Sequence, residues 1–224
     1  MKKKYFVVPL MLLISAALLL GGCGNNNKTA VQEPVQKPAA EPTPETKTFM
    51  SWDTPPAMEI DTNKSYKAEV TTNKGNFTIE LFAKDAPKTV NNFVFLSRQG
   101  FYNDVIFHRI IESFMIQSGD PEGTGMGGPG YRFEDEKTDY QYEPGIVAMA
   151  NAGPDTNGSQ FFICTGNDSV SLNYTPKYTI FGTITDGMDV VKAIAATPVE
   201  VGPSGESTFP TETIQIKEIK IIEK

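Results

Sequence analysis

Only two stretches of this chain carry a helical pattern, and a long run of strand-like sequence separates them. Ala86–Gln99 has Pro87 in its first turn, Val90, Phe93 and Val94 near helical spacing, and Gly100 as a stop. Gly187–Ala196 repeats the pattern through Met188, Val191, Ile194 and Ala195, and Pro198 ends it. Tyr66–Thr72 and Asn76–Phe82 alternate about Asn73-Lys74-Gly75, a hairpin signal. Val105–Ile111, Phe114–Gln117, Ile146–Ala150, Gln160–Thr165, Tyr178–Ile184 and Thr213–Ile222 read as further strands. Such an order cannot make βαβ repeats. It predicts an all-β-dominated fold, a closed antiparallel barrel of seven or eight strands capped by two α-helices, because closure removes exposed edges.

The N-terminus reads differently. Lys2, Lys3 and Lys4 precede an apolar run over Tyr5–Leu20, which leads through Gly21 and Gly22 to Cys23. A basic start, a short apolar core and a small-residue cleavage site describe an export signal over residues 1–22. The run is short for a membrane span. Its end resembles a lipobox, which implies lipidation of Cys23 and a membrane anchor. Residues 23–48 then form a tether rich in Asn, Gln, Glu, Lys and Pro, with too little apolar surface to offset its ordering entropy. Residues 49–65, with Trp52, Pro55 and Pro56, either extend the tether or pack on the domain at 66–224.

Loss of residues 1–22 removes three of the 20 basic residues and none of the 27 acidic ones, leaving 17 against 27, a net charge near −10. That balance argues against nucleic acid as a partner and gives no polybasic attraction to an anionic membrane. With Cys23 lipidated, Cys164 has no disulfide partner. It sits in the apolar run SQFFICT and reads as a small buried hydrophobe. One histidine and one free cysteine do not make a usual zinc site, so no metal is expected. Gly123–Gly128 satisfies a G-x-G-x-x-G spacing, but Pro129 follows where a helix would begin, so no dinucleotide cofactor is implied.

The chemistry concentrates in two segments, FHRIIESFMIQSGD at 107–120 and MANAGPDTNGSQFFICT at 149–165. They supply one fixed cation, several amides and an aromatic patch, with almost nothing that titrates near neutrality. This inventory suits binding and straining a neutral peptide, not hydrolysis or redox chemistry. Phe114 and Met115 are adjacent, so on a regular strand only one of them can face a given side.

From about Tyr66 to Ile222 the chain resembles the cyclophilins, a family of peptidyl-prolyl cis–trans isomerases. The resemblance rests on FHRII at 107–111, FMIQSGD at 114–120, MANAGPDTNGSQFFI at 149–163 and FGTITDGMDVV at 181–191, with support from APKTVNNF at 86–93 and FEDE at 133–136. It implies an eight-stranded barrel with a groove on its outer face. By motif position Arg109 is the catalytic arginine. Phe114, Met115, Phe162 and Leu172 line the proline pocket, with Tyr178 on its wall and His108 at its edge. Gln117, Asn151 and Gln160 hold substrate backbone, flanked by Ala150 and Ala152, and Gly125 borders a neighbouring pocket.

The chain departs from the family at Ser171, where many members have tryptophan, which implies weak cyclosporin binding with turnover largely retained. Tyr178 stands where a histidine is common, Glu112-Ser113 replaces the common Pro-Gly, and the loop between Cys164 and Phe181 is longer than in many relatives. The function implied is X–Pro isomerisation in unfolded or partly folded exported proteins, by a lipid-anchored monomer facing outside the cytoplasm, with no cofactor. The alternative is a proline-peptide-binding module or holdase that needs no turnover.

Overall fold

The computed structural model describes residues 49–202 and 204–224. The expected signal segment, the lipidated Cys23 and the tether lie outside the described residues. The described residues all belong to one compact unit.

The hairpin signal holds. β1 (Tyr66–Thr72) and β2 (Gly75–Leu81) pair antiparallel, and β1 also pairs with the last strand, β10 (Ile216–Glu223). Between them in sequence come α1 (Pro87–Arg98), β3 (Arg109–Ile111), β4 (Met115–Ser118), β5 (Ile146–Met149) and β6 (Phe161–Cys164). Next follow a 3₁₀ helix (Asn167–Tyr174), β7 (Ile180–Asp186), α2 (Met188–Ala195), β8 (Val199–Val201) and β9 (Ser207–Pro210). Eight strands form one antiparallel sheet in the order β10-β1-β2-β7-β5-β6-β4-β3, and β8 and β9 form a separate hairpin.

The expected closure is corrected. The sheet is open between β3 and β10. The segment leading into β3 meets the segment leading into β10 at a single bridge, Ile106 opposite Gln215. Backbone bonds from Phe107 N to Ile214 O (2.9 Å) and from Ile216 N to Val105 O (2.9 Å) span this seam. Beyond it the two runs do not form a ladder: β3 is three residues long and pairs only with β4. β9 packs beside β3, so the short edge is covered rather than closed.

The strands separate two apolar masses. The inner core contains Phe93, Tyr102, Phe107, Ile110, Ile116, Phe161, Ile163 and Phe181. The outer cluster contains Met115, Tyr142, Ile146, Ala148, Phe162, Cys164 and Ile180. Successive residues of β4, β5 and β6 alternate between the two, as the pleat requires. Because both faces are covered, β5 and β6 are buried at every position and show no polar alternation.

α1 has no side-chain cap of its own and starts with proline. Its N-terminal amides are met from elsewhere: Glu136 accepts from Lys88 N (3.0 Å), Thr89 N (2.8 Å) and the Thr89 hydroxyl (2.7 Å). A carboxylate there satisfies orphan donors and complements the helix dipole. Residues 49–60 pack on the domain. Asn91, buried on α1, accepts from Glu59 N (2.8 Å) and Ile60 N (3.2 Å) and donates to Ala57 O (2.8 Å). Trp52 lies edge-on to Phe95 at 5.3 Å and close to Phe101 at 5.9 Å, and its amide donates to Pro129 O (2.9 Å). Gly130, at φ +94°, accepts this close approach, since a Cβ there would lie 2.6 Å from Trp52 O.

Candidate active site

Strand register assembles the site. Arg109 on β3 is opposite Gln117 on β4, Gln117 is opposite Phe162 on β6, and Phe162 is opposite Ala148 on β5. Paired residues share a face, so this row and the neighbouring Met115 lie on the outer side of the sheet. Phe114 precedes β4 in a tight turn closed by its amide to Ile111 O (2.9 Å). It is therefore not bound by strand alternation, and it reaches the same side as Met115.

A cavity of about 100 Å³ results, lined by Arg109, Phe114, Met115, Gln117, Ala150, Asn151, Phe162 and Tyr178. Tyr178 stands edge-on to Phe162 at 5.4 Å. A larger depression of about 700 Å³ adjoins it, sharing Gln117, Ala150 and Asn151 and bordered by Gly125–Arg132, Ala152 and Gln160. The small cavity has room for one apolar ring, and the larger one can take the adjoining peptide.

An amide relay joins the two. Gln117 Nε2 donates to Gln160 Oε1 (2.9 Å), and Gln160 Nε2 donates to Gly127 O (2.9 Å). The Gln117 side-chain oxygen has no partner among the described residues and is open to a substrate N–H. Asn151 Nδ2 donates to Lys177 O (2.9 Å), pinning one rim to the segment before Tyr178. Arg109 is half-buried. Its Nε donates to Glu206 Oε2 (3.2 Å), Nη1 approaches Met115 Sδ (3.9 Å), and Nη2 has no partner among the described residues.

Two of the expected residues stand apart. His108 is 7% exposed and lines neither cavity. It lies beneath the glycine loop, where a Cβ on Gly125 would come 3.7 Å from its Cδ2 and Nε2. Leu172 packs against the outer cluster from the 3₁₀ helix without lining the small cavity. Sequence reading missed Glu206. The unfamiliar Glu112-Ser113 turn is locked to the long loop: Ser113 Oγ bonds the Asp168 carboxylate, and Thr165 Oγ1 donates to Glu112 O (2.7 Å).

Burial holds the His108 pKa below its ordinary value, although Asp120 pulls the other way. Burial also pushes the Cys164 thiol up to about 11. The wall of the small cavity itself offers a guanidinium beside Phe114, Met115 and Phe162.

The glycine loop is organised by Asp120, fully buried, whose carboxylate accepts from Glu122 N (2.8 Å), Thr124 N (2.9 Å) and Gly125 N (2.6 Å). Burial alone would raise its pKa, but the backbone donors together outweigh burial and hold it below the ordinary carboxylate value. A depressed folded-state pKa contributes stability that is present above the unfolded value, about 3.9, and lost as pH falls through the folded one. In acid titrations monitored by circular dichroism, the protein is expected to lose stability below about pH 4, and Asp120→Asn to show a shallower acid dependence. At pH 7 that variant should already be less stable by about 1–3 kcal/mol, because an NH2 group replaces one of the two oxygens that accept from the loop amides.

Comparison with known proteins agrees with this geometry. The family described as cyclophilin type peptidyl-prolyl cis-trans isomerase/CLD matches residues 67–221. Peptidyl-prolyl cis-trans isomerase-like 1 of Aspergillus oryzae is 44% identical over 162 residues, covering 68% of this chain and 93% of that protein. The human peptidyl-prolyl cis-trans isomerase-like 3 is 43% identical over 156 residues, covering 67% and 92%. A crystal structure of a cyclophilin-type isomerase from Cryptosporidium parvum superposes with a TM-score of 0.64 at 38% identity, covering 71% of this chain and 99% of that one. A pocket sized for one ring, a guanidinium on its wall and these matches lead to one conclusion: the chain belongs to the cyclophilin-type peptidyl-prolyl cis–trans isomerases.

Proposed function

We propose that Arg109 is the catalytic residue, and that the enzyme works on exported proteins from a lipid anchor on Cys23. The observation that carries the first part is Arg109 on the wall of the small cavity beside Phe114, Met115 and Phe162, with Nη2 lacking a partner among the described residues. Rotation about a peptide C–N bond costs about 18–20 kcal/mol because resonance must be broken. In the twisted transition state the proline nitrogen regains a lone pair and accepts a hydrogen bond. A guanidinium aimed at that nitrogen binds the twisted state more tightly than either planar isomer, which is what catalysis requires. Phe114, Met115 and Phe162 hold the ring, and the Gln117 and Asn151 rim fixes one side of the bond while the other turns. Rotation about the bond requires no proton transfer.

The second part rests on the basic start, apolar run and Leu20-Gly21-Gly22-Cys23 at the N-terminus. An anchored isomerase outside the cytoplasm would meet chains as they emerge unfolded, when X–Pro bonds are still isomerising over tens of seconds or longer. The test is expression of the full chain and of Cys23→Ser in a bacterial host supplied with labelled palmitate. Label and membrane association are expected in the first and lost in the second. Unlabelled, soluble wild-type protein would overturn the anchored reading while leaving the isomerase untouched.

A further inference from the structure

The β8–β9 hairpin brings an acidic side chain to the arginine. Val199 pairs with Pro210 and Glu200 with Phe209. Its tip is a hydrogen-bonded turn: Gly202 N donates to Glu206 O (3.0 Å), Gly205 N to Gly202 O (2.9 Å) and Glu206 N to Ser204 Oγ (3.3 Å). Gly205 takes the left-handed conformation at φ +79°, a turn that suits glycine. β9 packs beside β3, so the turn projects Glu206 onto the strand that carries Arg109.

We propose that Glu206 is a positioning residue for the isomerase reaction: it fixes the Arg109 guanidinium through Nε without itself lining the proline pocket. This rests on the reading of Arg109 as the catalytic cation. The carboxylate engages Nε, the nitrogen nearest the side-chain stem, and Met115 Sδ contacts Nη1. Two contacts on different nitrogens define the plane of a rigid fork and leave Nη2 for the substrate. Met115 itself lines the proline pocket, so the guanidinium and the bound ring share a common reference.

A carboxylate beside a catalytic cation could equally weaken it by partial neutralisation. The magnitudes decide against that. The Glu206 side chain is 56% exposed and that of Arg109 32% exposed, so water and salt screen their mutual field strongly. Hydrogen-bond geometry is not screened in the same way. Orientation is therefore the larger effect, and small misplacements of a catalytic group are costly in rate.

The experiment measures cis–trans exchange of an Ala-Pro-containing peptide by NMR in the full chain, alongside Glu206→Ala, Glu206→Gln and Gly205→Val. Glu206→Ala is expected to lower kcat by about fivefold with little change in KM, since positioning acts on the transition state. Glu206→Gln keeps an oxygen acceptor for Nε and should retain at least half of the wild-type kcat. Gly205→Val leaves both partners intact but strains the turn, and should lower kcat in the same direction as Glu206→Ala. Unchanged kcat in Glu206→Ala, or a rise in both Glu206 variants, overturns the proposal; the rise would identify a neutralising contact instead. If the wild-type chain itself does not accelerate exchange, the isomerase reading fails, and this is distinguishable because the comparison among variants then has no baseline rate.

Discussion

Arg109→Ala is expected to reduce isomerisation by about 10²–10³-fold, the range for removing one preorganised donor aimed at developing transition-state electron density. Peptide affinity should change far less. On the proposed reading the ring is held by Phe114, Met115 and Phe162 and the peptide backbone by the amide rim, none of which needs the guanidinium in the planar ground state. Stability should also change little. Arg109 is half-exposed, and its ion pair with Glu206 is of the solvent-accessible kind that contributes about 0–1 kcal/mol. NMR exchange spectroscopy gives the rate and peptide titration gives the affinity on the same samples. Exchange as fast as wild type in a folded, peptide-binding Arg109→Ala variant would remove the arginine from the mechanism. A parallel loss of binding and rate would assign it to holding substrate rather than to turning it.

The largest effect on stability is expected from Phe93→Ala. Phe93 is fully buried on α1, with its ring 5.2 Å from Tyr102, 5.5 Å from Phe161 and 5.3 Å from Phe181. It is the meeting point of the helix, the segment after it, and strands β6 and β7. Deleting a buried phenyl ring costs about 3–5 kcal/mol through lost transfer energy and an unfilled cavity. Against a typical domain stability of about 5–15 kcal/mol that is a large fraction. Urea unfolding should show a lower midpoint with an unchanged slope. A cost below about 1.5 kcal/mol would mean that the surrounding rings collapse into the space left by Phe93.

Much of this architecture was legible in the sequence because the informative residues sit at regular spacings. Val90, Phe93 and Val94 mark α1, and the alternation over Tyr66–Leu81 marks the first hairpin. The strands that carry the pocket were recognisable as strands, although not from alternation: β5 and β6 are covered on both faces. The site was legible chiefly through ordered motifs, which bring Arg109, Gln117 and Phe162 into one row once the register is known. The illegible parts have physical reasons. The β8–β9 hairpin is short and crowded with Gly202, Gly205 and Pro210, so it has no period to read. Glu206 looked like any solvated acid, since only the hairpin brings it to Arg109. Residues 49–60 carry apolar side chains at irregular intervals, and their partners are both polar, at Asn91, and aromatic, at Phe95 and Phe101. Val105–Ile111 read as one strand, yet only its last three residues join the ladder, because Val105 and Phe107 bond across the seam instead.

The two apolar masses on either side of β4, β5 and β6 give this enzyme a particular vulnerability to drift. In many binding sites the floor can vary without disturbing the frame that supports it. Here Met115 and Phe162 are at once pocket wall and members of the outer cluster, and each is flanked in its strand by inner-core residues, Ile116 on one side and Phe161 and Ile163 on the other. A change that reshapes this cavity, the proposed seat for proline, therefore also loosens a structural layer. Freedom to adapt is left to exposed residues of the rim, Met126, Arg132 and Ala152, which border the groove outside both apolar masses. Such a molecule can acquire new tastes in the residues around proline more readily than it can change its grip on proline itself.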